Sequence, residues 1–203
     1  MPFKVTTKQQ TQIICNKFFV VLKRRIVFFF VFLVVFSAAF SIGAKMEVPK
    51  EEASIFLDEF NKLLDTLKDG NFGLEIFLHN LEIALPMFIP GFGVGWGIFS
   101  AFSTGFAFAA LATTNVLLAK IPPIAMIFAT PFGLMELAAY SIGMSRSFLL
   151  IVGIFKKTPI LQQWKPVVLE ICIVIGLLLL GGIIEAHMIE TFPGPNVPVP
   201  QVN

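Results

Sequence analysis

The sequence predicts an all-α fold: a polytopic bundle of about five transmembrane helices, with one amphipathic extracytoplasmic helix after the first span. Of its 203 residues 56% are hydrophobic and only 14% are charged, and the mean hydropathy is +0.84. A soluble domain usually carries about 25% charged residues. Long uncharged runs recur along the chain, and about 20 such residues form a helix that crosses ~30 Å of hydrocarbon.

Residues 1–25 are predicted to be a cytoplasmic basic segment, and residues 26–44 the first transmembrane anchor. The basic segment ends in Lys23, Arg24 and Arg25, directly before the uncharged run. A cleaved signal peptide has the same charged start, but its apolar region is usually about 7 to 15 residues long. We therefore expect an uncleaved anchor, with a cleaved signal peptide as the alternative.

Residues 45–71 are predicted to form the extracytoplasmic amphipathic helix. They contain four lysines and seven acidic residues, which places them in water. Apolar side chains recur within them at helical spacing and form one stripe. Such a stripe is typical of a helix that lies on the surface of its own protein, and a docking helix for a partner is the alternative. The stripe consists of Phe56, Phe60, Leu63, Leu64 and Leu67.

Residues 72–190 are predicted to be a membrane domain of four spans. Pro86 and Pro90 interrupt the first long apolar region, where a helix must kink or end. Thr130 followed by Pro131 is typical of a helix start, so a short half-helix is expected just before it. The remaining residues, 191–203, form a proline-rich tail that we expect to be extended and extracytoplasmic.

The distribution of Lys and Arg predicts how the chain is oriented in the cell membrane. Nine of the fifteen lie in the N-terminal segment or in the loop with Lys156, Lys157 and Lys165. Because loops rich in Lys and Arg usually stay in the cytoplasm, both segments are expected there. Five spans then place the C-terminus outside.

The third span carries a small residue at every fourth position, which makes one smooth helix face. In lipid, such faces allow helices to pack closely. Helix packing is the expected role of these residues, and a glycine-lined pore is the alternative. The positions are Gly93, Gly97, Ala101, Gly105 and Ala109, and Gly133 is expected to allow a close approach at the start of the fourth span.

Ionisable side chains within the spans are predicted to meet, because an unpaired charge is costly in lipid. We expect Asn80, Glu82, Glu136 and Glu185 to form a buried polar cluster in the outer half of the bundle. Three interpretations remain open: hydrogen-bonded or interfacial groups, a proton or cation pathway, and a metal site. Two histidines without a neighbouring cysteine supply too few ligands for a metal site, so neither a metal nor another cofactor is expected. Glu75, His79 and His187 are the candidate additional members.

A second polar contact is expected nearer the cytoplasmic side. There Arg146 on the fourth span could reach Glu170 on the fifth, and the default interpretation is a structural pair.

Three short segments resemble the stage II sporulation protein M (SpoIIM-like) family of prokaryotic integral membrane proteins. The resemblance covers roughly residues 70–190, and Asn80, Gly133, Glu136 and Glu185 match the family pattern. Phe132 stands where the family's histidine is expected, and His79 where a second asparagine often occurs. No role of that histidine is therefore carried over. The three segments are Phe77-Leu78-His79-Asn80-Leu81 with the glycines from Gly91 to Gly97, Thr130 to Leu137, and Gly182 to Ala186.

This resemblance implies a scaffold, because the family's namesake anchors separate cell-wall-degrading subunits in the membrane. We expect a non-enzymatic membrane scaffold or accessory subunit, since the two histidines do not supply a catalytic set. The expected partners are the lipid bilayer and other membrane protein subunits or a second copy, and not nucleic acid. The alternative function is an ion- or proton-coupled small-solute transporter that uses the intramembrane glutamates.

Overall fold

The computed structural model describes residues 7–49, 51–58, 62, 72–114, 118–157 and 164–191, and within these ranges the chain is helical and has no strands. The predicted all-α fold is confirmed. Short 3-10 turns at Leu85–Phe88 and Leu118–Lys120 link some of the helices. The helices are α1 (Thr7–Gly43), α2 (51–58), α3 (Phe72–Ala84), α4 (Phe92–Thr114), α5 (Pro123–Ala129), α6 (Pro131–Phe155) and α7 (Trp164–Thr191).

Four helices within the described ranges are long and apolar enough to cross a membrane: Phe19–Gly43 of α1, Phe92–Thr113 of α4, Pro131–Phe155 of α6 and Trp164–Ile189 of α7. The predicted second span has a different form. Its helix, α3, has only 13 residues, because the chain tightens into a 3-10 turn that contains Pro86.

Together, α3 and this turn still extend along most of the bundle. Gly73 packs against Gly182 and Ala186 near the end of α7, whereas Gly91 contacts Ser147 in the second half of α6. Within the described ranges, α3 and its turn thus form a fifth, broken segment beside the four long helices.

Ring contacts and ion pairs show that α1 and α7 both run antiparallel to α6. Phe28 lies beside Phe148, and Phe36 stacks on Tyr140, so α1 and α6 are antiparallel. Arg146 of α6 meets Glu170 near the start of α7, so α6 and α7 are also antiparallel. The end of the bundle where α6 ends and α7 begins is called the basic end below, and the opposite end the acidic end.

Helix α6 is the central element, and more than half of its span is buried. Its middle part carries small buried residues on two opposite sides, with Ser141 and Ser145 on one and Gly143 and Ser147 on the other. Around it pack the aromatic and sulfur-containing side chains of α1 and of the turn after α3. The core includes Phe32, Phe36, Phe40, Met87, Leu137, Met144 and Leu178.

The break between α3 and α4 is held by Ser147. Its hydroxyl donates to the carbonyl oxygen of Ile89 (2.6 Å) and accepts from the amide of Gly91 (3.0 Å). Gly91 has a φ of +80°, a backbone conformation that side chains other than glycine rarely adopt. This clasp reverses the chain direction within the bundle, so that α4 can return beside α1.

Backbones approach closely where α1 crosses α4. A Cβ added to Gly43 would collide with the carbonyl oxygen of Phe102, and one added to Gly105 with that of Phe40. The other small positions of α4 also lie in contacts. Gly93 lies against the backbone of Met87, Gly97 against the side chain of Met144, Ala101 is fully buried, and Ala109 belongs to a cluster with Ala53 of α2.

Helix α2 therefore rests on the acidic end of the bundle. Phe56 of the predicted stripe packs against the same cluster. Phe60, Leu63, Leu64 and Leu67 lie outside the described residues, as does the tail from residue 192.

Candidate functional site: two polar clusters in the bundle

The first polar cluster joins α3 to α6. The Asn80 side-chain amide donates to Glu136 Oε1 (2.6 Å), and the Tyr140 hydroxyl donates to Asn80 Oδ1 (3.1 Å). Asn80 and Tyr140 are buried. Glu136 and Tyr140 share one face of α6 because they are four residues apart. The amide of Asn80 is thus fixed between a carboxyl and a hydroxyl group.

The start of α6 positions Glu136. Thr130 caps the helix, and its hydroxyl oxygen accepts from the Gly133 amide (3.2 Å). A Cβ added to Gly133 would lie 2.6 Å from that oxygen and 2.8 Å from the carbonyl oxygen of Ile127 in α5. Gly133 thereby lets the half-helix α5 fold tightly against α6. Glu136 lies in the second turn of the helix, one turn after Gly133.

Glu185 of α7 lies close enough to interact electrostatically with Glu136 and Tyr140. Its side chain is half-buried and, within the described ranges, has no hydrogen bond. The structure therefore brings three of the four expected residues, Asn80, Glu136 and Glu185, into one region near the acidic end.

Glu82 does not join them, contrary to the expectation from its depth. It follows Asn80 by two residues, which is more than half a helical turn, so its side chain is exposed on the opposite side of α3. His79 and His187 are also exposed, and Glu75 is half-buried.

Tyr140 is the cluster member that the sequence analysis missed. It is the single tyrosine of the chain and lies one turn after Glu136. That spacing was the available signal, because it places a hydroxyl group on the same helix face as the carboxyl group.

The second polar cluster lies nearer the basic end and contains two arginines around one carboxylate. Arg146 binds both oxygens of Glu170, through Nε (2.6 Å) and Nη2 (2.5 Å). Arg25 Nε also binds Glu170, at 2.6 Å, while its other nitrogens donate to Ser145 Oγ (2.7 Å) and the Ile142 carbonyl oxygen (3.1 Å). The predicted contact between Arg146 and Glu170 is confirmed. Arg25 was not expected there, although it is the last cation before the first span.

Apart from the half-buried Glu185 carboxyl group, the polar groups inside the described part of the chain satisfy one another. Every buried side-chain nitrogen or oxygen atom there has a hydrogen-bond partner. In the same part, no three His, Cys, Asp or Glu side chains are grouped as metal ligands would be. The two clusters thus consist of direct contacts between helices that are far apart in sequence.

Comparison with known proteins identifies the family of the chain. No match was found among curated proteins or among solved structures. Residues 26–188 match the family model described as Stage II sporulation protein M. This range includes the first span, which lies outside the region where the motifs were recognised, and it contains Asn80, Glu136 and Glu185. The chain therefore belongs to the stage II sporulation protein M family.

Proposed function

We propose that this protein is a non-enzymatic integral membrane scaffold or accessory subunit, which holds other membrane proteins in a complex. The observation that supports this function is the closed interior of the bundle. Its buried polar atoms are paired within the protein across the described ranges, and the core between the clusters is filled by aromatic and aliphatic side chains.

A scaffold needs a rigid bundle, and the helix contacts provide one. The crossing of α1 with α4 has backbone against backbone at Gly43 and Gly105. The cluster around Glu170 ties α1, α6 and α7 together, and Asn80 ties α3 to α6. A carrier, in contrast, must open its polar groups alternately to the two sides of the membrane.

The basic end of the bundle is proposed to face the cytoplasm. Lys23, Arg24, Lys156, Lys157 and Lys165 lie near this end and are exposed. Since the start of α1 and the end of α6 share this end, the positive-inside rule applies to both segments in the same sense. The C-terminal end of α7 is then extracytoplasmic.

The deciding experiment is purification from native membranes in mild detergent, followed by measurement of subunit stoichiometry. A scaffold or accessory subunit should co-purify with other membrane proteins at fixed ratios. Recovery of this chain alone from several detergents, combined with solute or ion flux in proteoliposomes, would contradict the proposal.

Transport remains the second candidate because of one observation at the first cluster. Glu185 approaches Glu136 and has no hydrogen bond within the described ranges, so its carboxyl group could exchange a proton or cation. Flux that depends on Glu136 and Glu185, and that Glu136→Gln abolishes, would favour this function over the scaffold.

A further inference from the structure

The outward face of α3 combines leucines with ionisable groups. Leu74, Leu78 and Leu85 are each more than 40% exposed. Glu82 and His79 project from the same side of the helix and are exposed as well. Among the described residues, neither Glu82 nor His79 has a hydrogen-bond or ion-pair partner.

Glu82 lies in the middle of the segment that traverses the bundle. Gly73, nine residues before it, packs near the end of α7, and Gly91, nine residues after it, contacts Ser147 of α6. At about 1.5 Å per residue of α-helix, Glu82 is roughly 13 Å from the level of Gly73, and the 3-10 turn carries the chain a comparable distance on the other side. Its carboxyl group therefore projects from an apolar surface at the depth of the hydrocarbon core. A carboxylate exposed to lipid at that depth is strongly unfavourable.

The apolar segments after residue 71 offer no cation, other than Arg146, that could neutralise this group from a second copy. Arg146 is the only Lys or Arg in residues 121–155, and residues 72–119 and 166–203 contain none. Arg25 and Arg146 are both bound to Glu170 nearer the basic end. In a symmetric dimer with its axis along the membrane normal, equal depths face each other. Glu82 would then meet Glu82 of the second copy, so two carboxyl groups would face each other and neither would gain a counter-charge.

We propose that the α3 face around Glu82 is the docking site for a transmembrane helix of another protein that carries a lysine or arginine near its centre. Leu78 and Leu85 flank the carboxyl group by about one turn on either side and supply the apolar contact. His79 lies one turn nearer the acidic end and adds a second polar group. The inference rests on the proposed function and identifies the chemistry of the partner.

The test uses the full-length chain and a defined probe. The probe is a single-span peptide of about 20 leucine and alanine residues with one central lysine, and its control has leucine in that place. Each peptide carries one cysteine beside the central position. It is co-expressed with a Leu78→Cys variant in which Cys15 and Cys172 are replaced by serine, and disulfide cross-linking in membranes is measured.

Efficient cross-linking of the lysine peptide, reduced about tenfold for the leucine peptide and for Glu82→Gln, is the expected result. Glu75→Gln is the matched control, because Glu75 lies two turns nearer the acidic end and its loss should leave cross-linking unchanged. Equal cross-linking of both peptides, or insensitivity to Glu82→Gln, would overturn the proposal. So would cross-linking between two copies of the chain that is lost in Glu82→Gln.

The outcome is separable from that of the proposed function. If native subunits co-purify at fixed ratios and Glu82→Gln leaves those ratios unchanged, the scaffold function stands and the docking site is wrong. If no subunit co-purifies but the lysine peptide cross-links as expected, the face recognises a basic helix and the scaffold function fails.

Discussion

Replacing Glu170 by glutamine should destabilise the protein more than any other single loss in the basic-end cluster. In the native state this carboxylate makes three contacts of 2.5–2.6 Å with two guanidinium groups. Glutamine retains one acceptor oxygen but no charge, so Arg25 and Arg146 would face each other without a counter-charge. Removing one partner of a buried ion pair typically costs ~3–5 kcal/mol. The side chains are 9–17% exposed, so we expect a value near 3 kcal/mol, at the lower limit of that range.

The assay is reversible unfolding of the purified protein in mixed micelles, read as the free energy of unfolding. Arg25→Leu should cost less, about 1.5 kcal/mol, because the two-oxygen contact between Arg146 and Glu170 survives. Glu47→Gln is the control, since it changes the same chemical group at an exposed position outside the membrane-spanning helices and should stay within about 0.5 kcal/mol. A loss below ~1 kcal/mol for Glu170→Gln, or one no greater than that of Arg25→Leu, would refute the reasoning.

Three further predictions test the bundle. Gly43→Ala should lower the free energy of unfolding by ~1–3 kcal/mol, since its Cβ meets a backbone carbonyl that cannot move aside. Gly95→Ala, with open space around it, should be neutral or slightly stabilising. Equal effects of the two substitutions on the free energy of unfolding would contradict the close crossing. Tyr140→Phe should cost about 1 kcal/mol, because the Asn80 amide oxygen loses its donor; an unchanged free energy of unfolding would mean that this bond is not made. A cysteine that replaces Lys157 should react with a membrane-impermeant thiol reagent only after the cells are permeabilised, because the basic end is proposed to face the cytoplasm. Labelling of this cysteine in intact cells would show that the proposed orientation is wrong.

The helical content and the long apolar helices follow from the sequence because they depend on local quantities. Run length and hydropathy identify spans, as at residues 26–44, and proline identifies breaks, as at Pro86. Thr130 followed by Pro131 identified the start of α6 for the same reason, since a cap is formed by residues next to one another. The second span was harder to anticipate, because a 3-10 turn continues α3 and periodicity does not distinguish such a turn from an α-helix.

Depth along a span is also a local quantity, and it placed Asn80, Glu136 and Glu185 at one level. The direction in which each side chain points around its helix axis is not local. Two residues of separation turn Glu82 away from Asn80 by about 200°, and nothing nearby in the sequence states which of the two directions faces α6. The contacts of α3 with α6 and α7 decide it: they bury Asn80 and leave Glu82 exposed.

The same distinction explains Arg25. Its sequence context is that of the neighbouring exposed cations Lys23 and Arg24, and all three suggest a cytoplasmic flank. Only the antiparallel packing of α1 against α6 brings Arg25 within 2.6 Å of Glu170, 145 residues away. The sequence determined which segments are long and apolar enough to cross a membrane and where they break, because hydropathy and backbone preferences act within a few turns. The tertiary structure alone decided which polar groups meet, because that depends on how each helix is rotated against the others.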